Sequence, residues 1–349
     1  MLLVFFLAAL LWGLGAMMGA PRRQRLVTVA VLFGVVLLVQ FVLPEGHPLR
    51  EATGGSPALW LILGGFVVLG LVYGRGVAAL RRRAVKDEPE GKVVKPKTFS
   101  GAELERYARH IVLRELGGPG QKRLKQAKVL VVGAGGLGAP VLLYLAAGGV
   151  GTIGVIDDDV VENANLQRQV IHRDADIGMP KVFSAKAAME AQNPNVVVQP
   201  YHRRLTDDIA AELFADYDLI LDGTDNFDTR YLVNRAAVAA GKPLISGALS
   251  QWEGQLSVFD PGAGGPCYQC IFPEAPAPGL APSCAEAGVV APLPGVVGSM
   301  MAIEAIKLIT GAGEVLRAQM LIYDALYGES RRIALKRRGD CPVCGGGAA

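Results

Sequence analysis

An α/β fold built on a mostly parallel, Rossmann-like sheet is what this sequence predicts, and three observations predict it. Lys128-Val-Leu-Val-Val132 is a short β-branched run that ends in Gly133-Ala-Gly-Gly-Leu-Gly138 and passes into the helical pattern Ala139 to Ala147. A strand, a glycine turn and a helix N-terminus make an anion cradle, because free N–H groups and the helix dipole face the same point. A second strand, Thr152 to Ile156, ends in Asp157, nineteen residues past Gly138, where an acid can bond ribose hydroxyls. A further strand, Asp218 to Leu221, delivers acids to the carboxyl edge of the sheet, the edge at which open α/β sheets bind ligands.

The first eighty residues are of another kind. The chain has 349 residues, 51% of them hydrophobic, and the excess sits in this head, which holds only five Arg and two acids. Met1 to Ala20, Leu26 to Leu43 and Ala58 to Gly74 are uncharged runs, each near the ~20 residues needed to span hydrocarbon. The first run also ends in small residues like a signal-peptide cleavage site, but it lacks the basic n-region such peptides carry. Arg22, Arg23 and Arg25 lie in the first loop, only Arg50 in the second, and Arg75, Arg81, Arg82 and Arg83 come after the third run. Because Lys and Arg are retained on the cytoplasmic side, the expected arrangement is a multi-pass inner-membrane head with its N-terminus outside and everything after residue 80 in the cytoplasm. No acid or His within the three runs marks a transport path, so the head reads as an anchor. Residues 81–103 are charged and carry Pro89 and Pro96, the composition of a solvated linker. The expected division is a membrane region over 1–80, a linker over 81–103 and a catalytic domain over 104–349. A net charge of +3, with no basic face interleaved with aromatics, argues against nucleic acid as a partner.

Up to Asp157 a dinucleotide-dependent dehydrogenase fits as well as any enzyme. The residues beyond it separate the two readings. Asp157-Asp-Asp-Val-Val-Glu-Asn-Ala-Asn165-Leu-Gln-Arg168-Gln169 places amides and a cation just past the ribose acid, and Lys181 adds a second cation. These suit a triphosphate whose α-phosphorus is attacked, whereas a dehydrogenase needs a hydride-accepting pocket and a proton donor. Taken singly, Asn165 is also a plausible helix cap, and Arg168 and Lys181 plausible surface charges. All five cysteines fall after residue 266. Cys267-Tyr-Gln-Cys270 and Cys341-Pro-Val-Cys344 are two knuckles about seventy residues apart, the donor set of a closed tetrahedral Zn²⁺ site; a redox pair would sit at a helix start on a thioredoxin-like unit. Cys284 is left over, in a Gly-, Ala- and Pro-rich stretch from Pro273 to Gly295 with the composition of a mobile loop.

From Arg106 to its end the sequence resembles the bacterial molybdopterin-synthase and thiamine sulfur-carrier adenylyltransferases of the ubiquitin-activating superfamily. The stretches that carry the resemblance are Arg106-Tyr-Ala-Arg109-His110, the glycine turn, the segment from Asp157 to Gln169, Leu221-Asp-Gly-Thr-Asp225-Asn226, Ser283-Cys-Ala-Glu-Ala-Gly-Val and both cysteine pairs. The resemblance implies a sheet extended by C-terminal antiparallel strands. It also implies ATP seated on Gly133, Gly135, Gly136 and Gly138, its ribose on Asp157 and its phosphates on Asn165, Arg168, Gln169 and Lys181. Asp225, beside Asn226, would hold Mg²⁺; Asp222 reads more readily as a cap on the next helix. The family's second Arg of this motif reaches into a neighbouring subunit's site, so Arg109 implies a homodimer. His110 stands where the family commonly has Gln. Cys284 matches a cysteine that in some relatives joins the carrier or takes part in sulfur transfer, although a loop thiol without that duty is equally consistent. The implied reaction is ATP-dependent adenylation of a small ubiquitin-like sulfur carrier ending in Gly-Gly. Ala285-Glu-Ala-Gly-Val-Val-Ala-Pro-Leu-Pro-Gly and Trp252-Glu-Gly-Gln-Leu favour the molybdopterin branch over the thiamine branch. Only five residues come after Cys344, too few for a rhodanese-like domain, so a separate sulfur donor enzyme is expected. A contrasting possibility is a non-catalytic, membrane-anchored nucleotide-binding module, which would bind ATP without exchanging pyrophosphate.

Overall fold

The computed structural model describes residues 2–86, 98–277 and 284–345. The chain forms two compact units, Met1–Lys95 and Pro96–Ala349.

The first unit is helical: α1 (Leu2–Met17), α2 (Arg22–Val42), α3 (Pro48–Ala52) and α4 (Pro57–Lys86). Long Leu, Val, Ala and Phe runs satisfy all backbone polar groups within the helix, which is what an apolar surrounding demands. α2 and the Pro57–Val77 part of α4 are long and apolar enough to cross a membrane by length and composition. α1 has 16 residues, about 24 Å of helix, and is shorter than the full 1–20 run and than a ~30 Å hydrocarbon core. The interior is small. Val4, Val36 and Trp60 are buried together, with the Phe5 and Phe33 rings 5.8 and 6.0 Å from Trp60. The loop carrying α3 is fastened by Gln40, whose Nε2 donates to the Arg50 carbonyl and Thr53 Oγ1, and by Trp60 Nε1, which donates to the Thr53 carbonyl. Of the charged stretch 81–103, residues 81–86 continue α4 and residues 87–97 lie outside the described residues.

The second unit opens with α5 (Gly101–Arg106), started by a Ser100–Glu103 capping box, then α6 (Ala108–Ile111) and α7 (Gly117–Gln126). The α/β core comprises β1 (Lys128–Val132), α8 (Gly138–Gly148), β2 (Thr152–Ile156), α9 (Lys181–Gln192), β3 (Val197–Tyr201), α10 (Asp207–Ala215), β4 (Leu219–Asp222), α11 (Phe227–Ala239) and β5 (Leu244–Ser250). The chain continues through β6 (Glu253–Phe259), α12 (Tyr268–Ile271), α13 (Cys284–Ala287), α14 (Pro292–Thr310), β7 (Gln319–Asp324) and β8 (Glu329–Ala334). One eight-stranded sheet has the order β3-β2-β1-β4-β5-β6-β7-β8. The first five strands are mutually parallel and the last three join antiparallel.

Alternation within β1 explains its unbroken β-branched run. Val129 and Val131 enter one core with Leu142, Leu145 and Met301, while Leu130 and Val132 enter the other with Phe214 and Val233, so both faces of the parallel half are covered. α14 matches a membrane span in length and hydropathy, yet Val297, Met301 and Ala305 are sealed in the first core. β4 begins one residue later than the sequence predicts. Asp218 stands outside it, its carboxylate accepting the Lys128 N–H at 2.8 Å, and Asp222 is drawn into the strand opposite Val132.

Candidate nucleotide site and cysteine centre

β1 stops because Gly133 takes φ +95°, a conformation L side chains rarely adopt. Gly138 then heads α8 so close to Gly133 that a Cβ there would lie 1.9 Å from the Gly133 carbonyl oxygen. Only glycine permits this closure of strand on helix. The turn and the carboxyl ends of β1, β2 and β4 open on a cavity of about 900 Å³. Its wall brings together Gly133, Gly135, Gly136, Asp157, Arg168, Gln169, Lys181, Asp225 and Asn226, residues spread over almost one hundred positions. Gly138 and Asn165 are not among its lining residues. Arg109 is exposed on α6 and is not among the cavity's lining residues. Cys284 begins α13, and its side chain lies outside the described residues.

Asp157 emerges from β2 and accepts two backbone N–H groups, Ala134 at 2.7 Å and Asp159 at 2.8 Å. Burial raises its pKa above the ordinary value, with the Lys181 ammonium opposing the rise. Lys181 is 4% exposed, and its Nζ lies 2.6 Å from Asp159 Oδ2. Asn165 Oδ1 accepts from Arg168 Nη2 at 2.9 Å, so the amide aims the guanidinium instead of capping a helix. Asn226 does cap one: its Oδ1 accepts the Thr229 N–H at the start of α11 at 2.9 Å. The cap uses only Oδ1, and Asn226 also lines the cavity. Gln169 is 5% exposed, and its Oε1 has no hydrogen-bond partner among the described residues, an acceptor left open beside the glycine turn. Asp225 is exposed at the cavity wall and makes no hydrogen bond among the described residues.

Sequence reasoning missed the buried pair that shapes the Asp225 loop. Asp222, 1% exposed, does not cap α11. It accepts the Thr224 N–H at 3.0 Å and Thr224 Oγ1 at 2.7 Å. Arg230, 6% exposed, lies 3.9 Å from it and donates to the Gly247 carbonyl at 2.9 Å and to the Thr224 carbonyl. The one available signal was an Arg on the same helical stripe as Val233 and Ala237, where a cation needs buried acceptors. Arg203, Arg204 and Tyr268 also line the cavity without having been singled out.

The four paired cysteines converge from α12 and the C-terminal segment. All are buried, and their Sγ atoms lie within 4.8 Å of one another. Neighbouring sulfurs are 3.9 Å (Cys267–Cys270), 3.6 Å (Cys267–Cys341) and 3.4 Å (Cys270–Cys344) apart. Tetrahedral zinc with Zn–S of ~2.3 Å needs edges of roughly 3.8 Å, so the donor set fits. Asn234 Nδ2 and the Arg338 N–H point at Cys267 and Cys270, the outer donors that thiolates attract.

The ThiF family matches residues 107–343. The sulfur carrier protein adenylyltransferase of Thermus thermophilus is 52% identical over 247 residues, 70% of this chain and 91% of its own length. The SAMP-activating enzyme E1 of Haloferax volcanii is 48% identical over 250 residues, 72% of this chain and 92% of its own. The probable adenylyltransferase/sulfurtransferase MoeZ of Mycobacterium tuberculosis is 54% identical over 70% of this chain, which spans 63% of MoeZ. Among solved structures, Escherichia coli MccB with ATP superposes with a TM-score of 0.61 at 26% identity, covering 69% of this chain and 74% of MccB. With the glycine turn, Asp157 and two cations gathered in one cavity and these relatives alongside, the chain is an adenylyltransferase that belongs to the ThiF family.

Proposed function

We propose that the chain uses ATP to adenylate the C-terminal glycine carboxylate of a small ubiquitin-like sulfur carrier, with the molybdopterin-synthase small subunit as the first choice and a thiamine-pathway carrier as the alternative. The observation that carries the reading is that Arg168 and Lys181 line the same cavity as the glycine turn and Asp157, with the Arg168 side chain close beside Gly136. The name of the Thermus relative, a sulfur carrier protein adenylyltransferase, supports the carrier as substrate.

The carboxylate oxygen attacks the α-phosphorus, the bond to the β-phosphate oxygen breaks, and pyrophosphate leaves with the electron pair. Both reactants are anions, so the work is charge neutralisation and in-line positioning. Asp157 holds the ribose. The turn's N–H groups and the α8 N-terminus receive phosphate oxygens, and Arg168 and Lys181 take up the charge that develops between α- and β-phosphates. Lys181 must shift its ion pair from Asp159 to do so, and Asp159, 65% exposed, is released to water at little cost. Asp225, an exposed carboxylate lining the cavity, would hold Mg²⁺, which would supply charge neutralisation for the departing pyrophosphate. No general base is needed, since the carrier's carboxylate is ionised near pH 7. Arg109 would act from the second copy of a homodimer, the N-terminal helices would hold the enzyme at the cytoplasmic face of the inner membrane, Cys284 would stand by for a covalent link to the carrier, and a separate enzyme would donate sulfur.

The test is exchange of labelled pyrophosphate into ATP by the full chain in detergent, with molybdopterin-type and thiamine-type carriers in parallel and Asp225→Ala as control. Exchange with one carrier, lost in the variant, identifies the branch. ATP binding without exchange under either carrier sinks both assignments.

A further inference from the structure

Ala134, the one residue between Gly133 and Gly135 at the start of the phosphate turn, is gripped from both sides. Its N–H donates to Asp157, and its carbonyl faces His172 Nε2 at 2.9 Å. His172 is buried. Its other ring nitrogen, Nδ1, lies 2.9 Å from Ser184 Oγ, and that hydroxyl lies 2.7 Å from Asp176 Oδ2. Ser184 sits in the first turn of α9, the helix that Lys181 begins. The chain Asp176–Ser184–His172–Ala134 therefore links the carbonyl of the phosphate turn to the helix that carries a phosphate-binding cation.

Ala134 O and an ionised Asp176 only accept, and Ser184 has one proton to give. Three hydrogen bonds at these distances need three protons, one from the hydroxyl and two from the ring, so all three form together only when His172 is an imidazolium. A neutral ring must give up one bond. The Ser184–Asp176 bond is charge-assisted and short, the kind roughly twice as strong as a neutral one, so it is kept. The hydroxyl, polarised by that carboxylate, is a stronger acceptor than the Ala134 carbonyl, so the one ring proton goes to Nδ1 and Nε2 is left with a lone pair aimed at the Ala134 carbonyl. Two lone pairs facing each other repel, and the turn loses its inner anchor.

We propose that His172 is a positioning residue for the phosphate turn, a proton-operated latch that Asp176 and Ser184 set and that tightens nucleotide binding when the ring is protonated. The proposal rests on the cavity being the nucleotide site. The charged groups that face the ring are Asp157 and Asp176, which favour its protonation, and Lys181, which opposes it; burial is the largest influence and lowers the pKa below the ordinary histidine value. Near pH 7.5 the latch is accordingly open in the free protein.

Asp176→Asn is the informative variant, because an amide donates where a carboxylate accepts. In Asp176→Asn the amide turns its NH2 group to Ser184 Oγ, giving up the long 3.3 Å bond from the Arg173 N–H that Asp176 Oδ2 also accepts; Ser184 then donates to Nδ1, and a neutral ring keeps Nε2–H for Ala134. The latch closes without an extra proton. ATP binding to the full chain in detergent, measured by calorimetry from pH 5.5 to 8, is expected to be roughly fivefold tighter in Asp176→Asn than in the unaltered chain at pH 7.5, the worth of one backbone-directed hydrogen bond, and the gap is expected to close as pH falls. Comparing variants at equal pH cancels the titration of ATP itself. Ser184→Ala, which cuts the relay but leaves the ring, should bind ATP at pH 7.5, where the ring is neutral in both, with no difference from a Ser184→Ala/Asp176→Asn double variant. Equal affinity of Asp176→Asn and the unaltered chain at pH 7.5, or a gap that survives Ser184→Ala, overturns the latch. Failure of every form to bind ATP would instead overturn the nucleotide reading of the cavity.

Discussion

In the C-terminal unit Leu130, Leu142, Leu145 and Phe214 are sealed from solvent, whereas in the N-terminal unit Leu38, Phe41, Phe66 and Leu69 stand 63 to 69% exposed. The side chains are alike and their placement is inverted. Water rarely tolerates a contiguous apolar patch beyond a few hundred Å², so one unit is built by the hydrophobic effect and the other presents the surface that hydrocarbon would wet. That contrast is what supports our proposal of a membrane-inserted head, under which the two units would owe their stability to different forces: area removed from water in one, packing around Trp60 and the Gln40–Thr53 fastening in the other.

The largest expected effect falls on the C-terminal unit alone. Cys341→Ser with Cys344→Ser should abolish zinc binding and, because a structural site contributes its binding energy to folding, lower the midpoint of its thermal unfolding by roughly 10 °C or more. Helicity of the N-terminal unit in detergent should be unchanged. Metal analysis with calorimetry checks this, and a double variant that holds no zinc yet unfolds at the same temperature would remove the structural role of the cysteine centre. A smaller effect sharpens the inversion directly. Leu145→Ala opens a cavity in a closed core and should cost about 3 kcal/mol, while Leu38→Ala, whose side chain is 65% exposed, should cost less than about 1 kcal/mol in detergent. Equal costs in denaturant titrations would mean that Leu38 is covered in the assembled protein.

Legibility in the sequence divides in the same way, between local and distant causes. β1 and β2 are read to the residue because β-branched runs end at Gly133 and Asp157, both of which carry their reason in their own chemistry. β8 is not legible: Glu329-Ser-Arg-Arg-Ile-Ala334 is exposed throughout, and an edge strand of charged residues has no apolar alternation to announce it. In the site, Arg168 and Lys181 stand out because cations beyond a ribose acid imply phosphate. Arg230 and His172 do not, because they act on backbone carbonyls, of Thr224, Gly247 and Ala134, and a carbonyl has no letter in the sequence. Asn226 reads as cofactor chemistry, and its Oδ1 also closes a helix end while the residue lines the cavity, a double placement that the spacing does not announce.

The smallest expected effect separates the two titrating groups that hold Ala134. Burial raises the Asp157 pKa and lowers that of His172, so the two approach each other and act in opposite directions on ATP. Protonated Asp157 loses an acceptor for the Ala134 N–H and for ribose, and affinity should fall as pH drops through its raised value. Stability moves the other way at this residue: the folded state takes up the proton before the unfolded chain does, so Asp157 opposes folding least at acid pH and most above its raised pKa. Asp157→Asn should bind ATP roughly tenfold more weakly at pH 7, the scale of a hydrogen bond to a charged group, and should lose the acid decline. If titration calorimetry shows that decline intact in Asp157→Asn, the acid limb belongs to other groups, and the grip on Ala134 from the Asp157 side is not what sets nucleotide affinity.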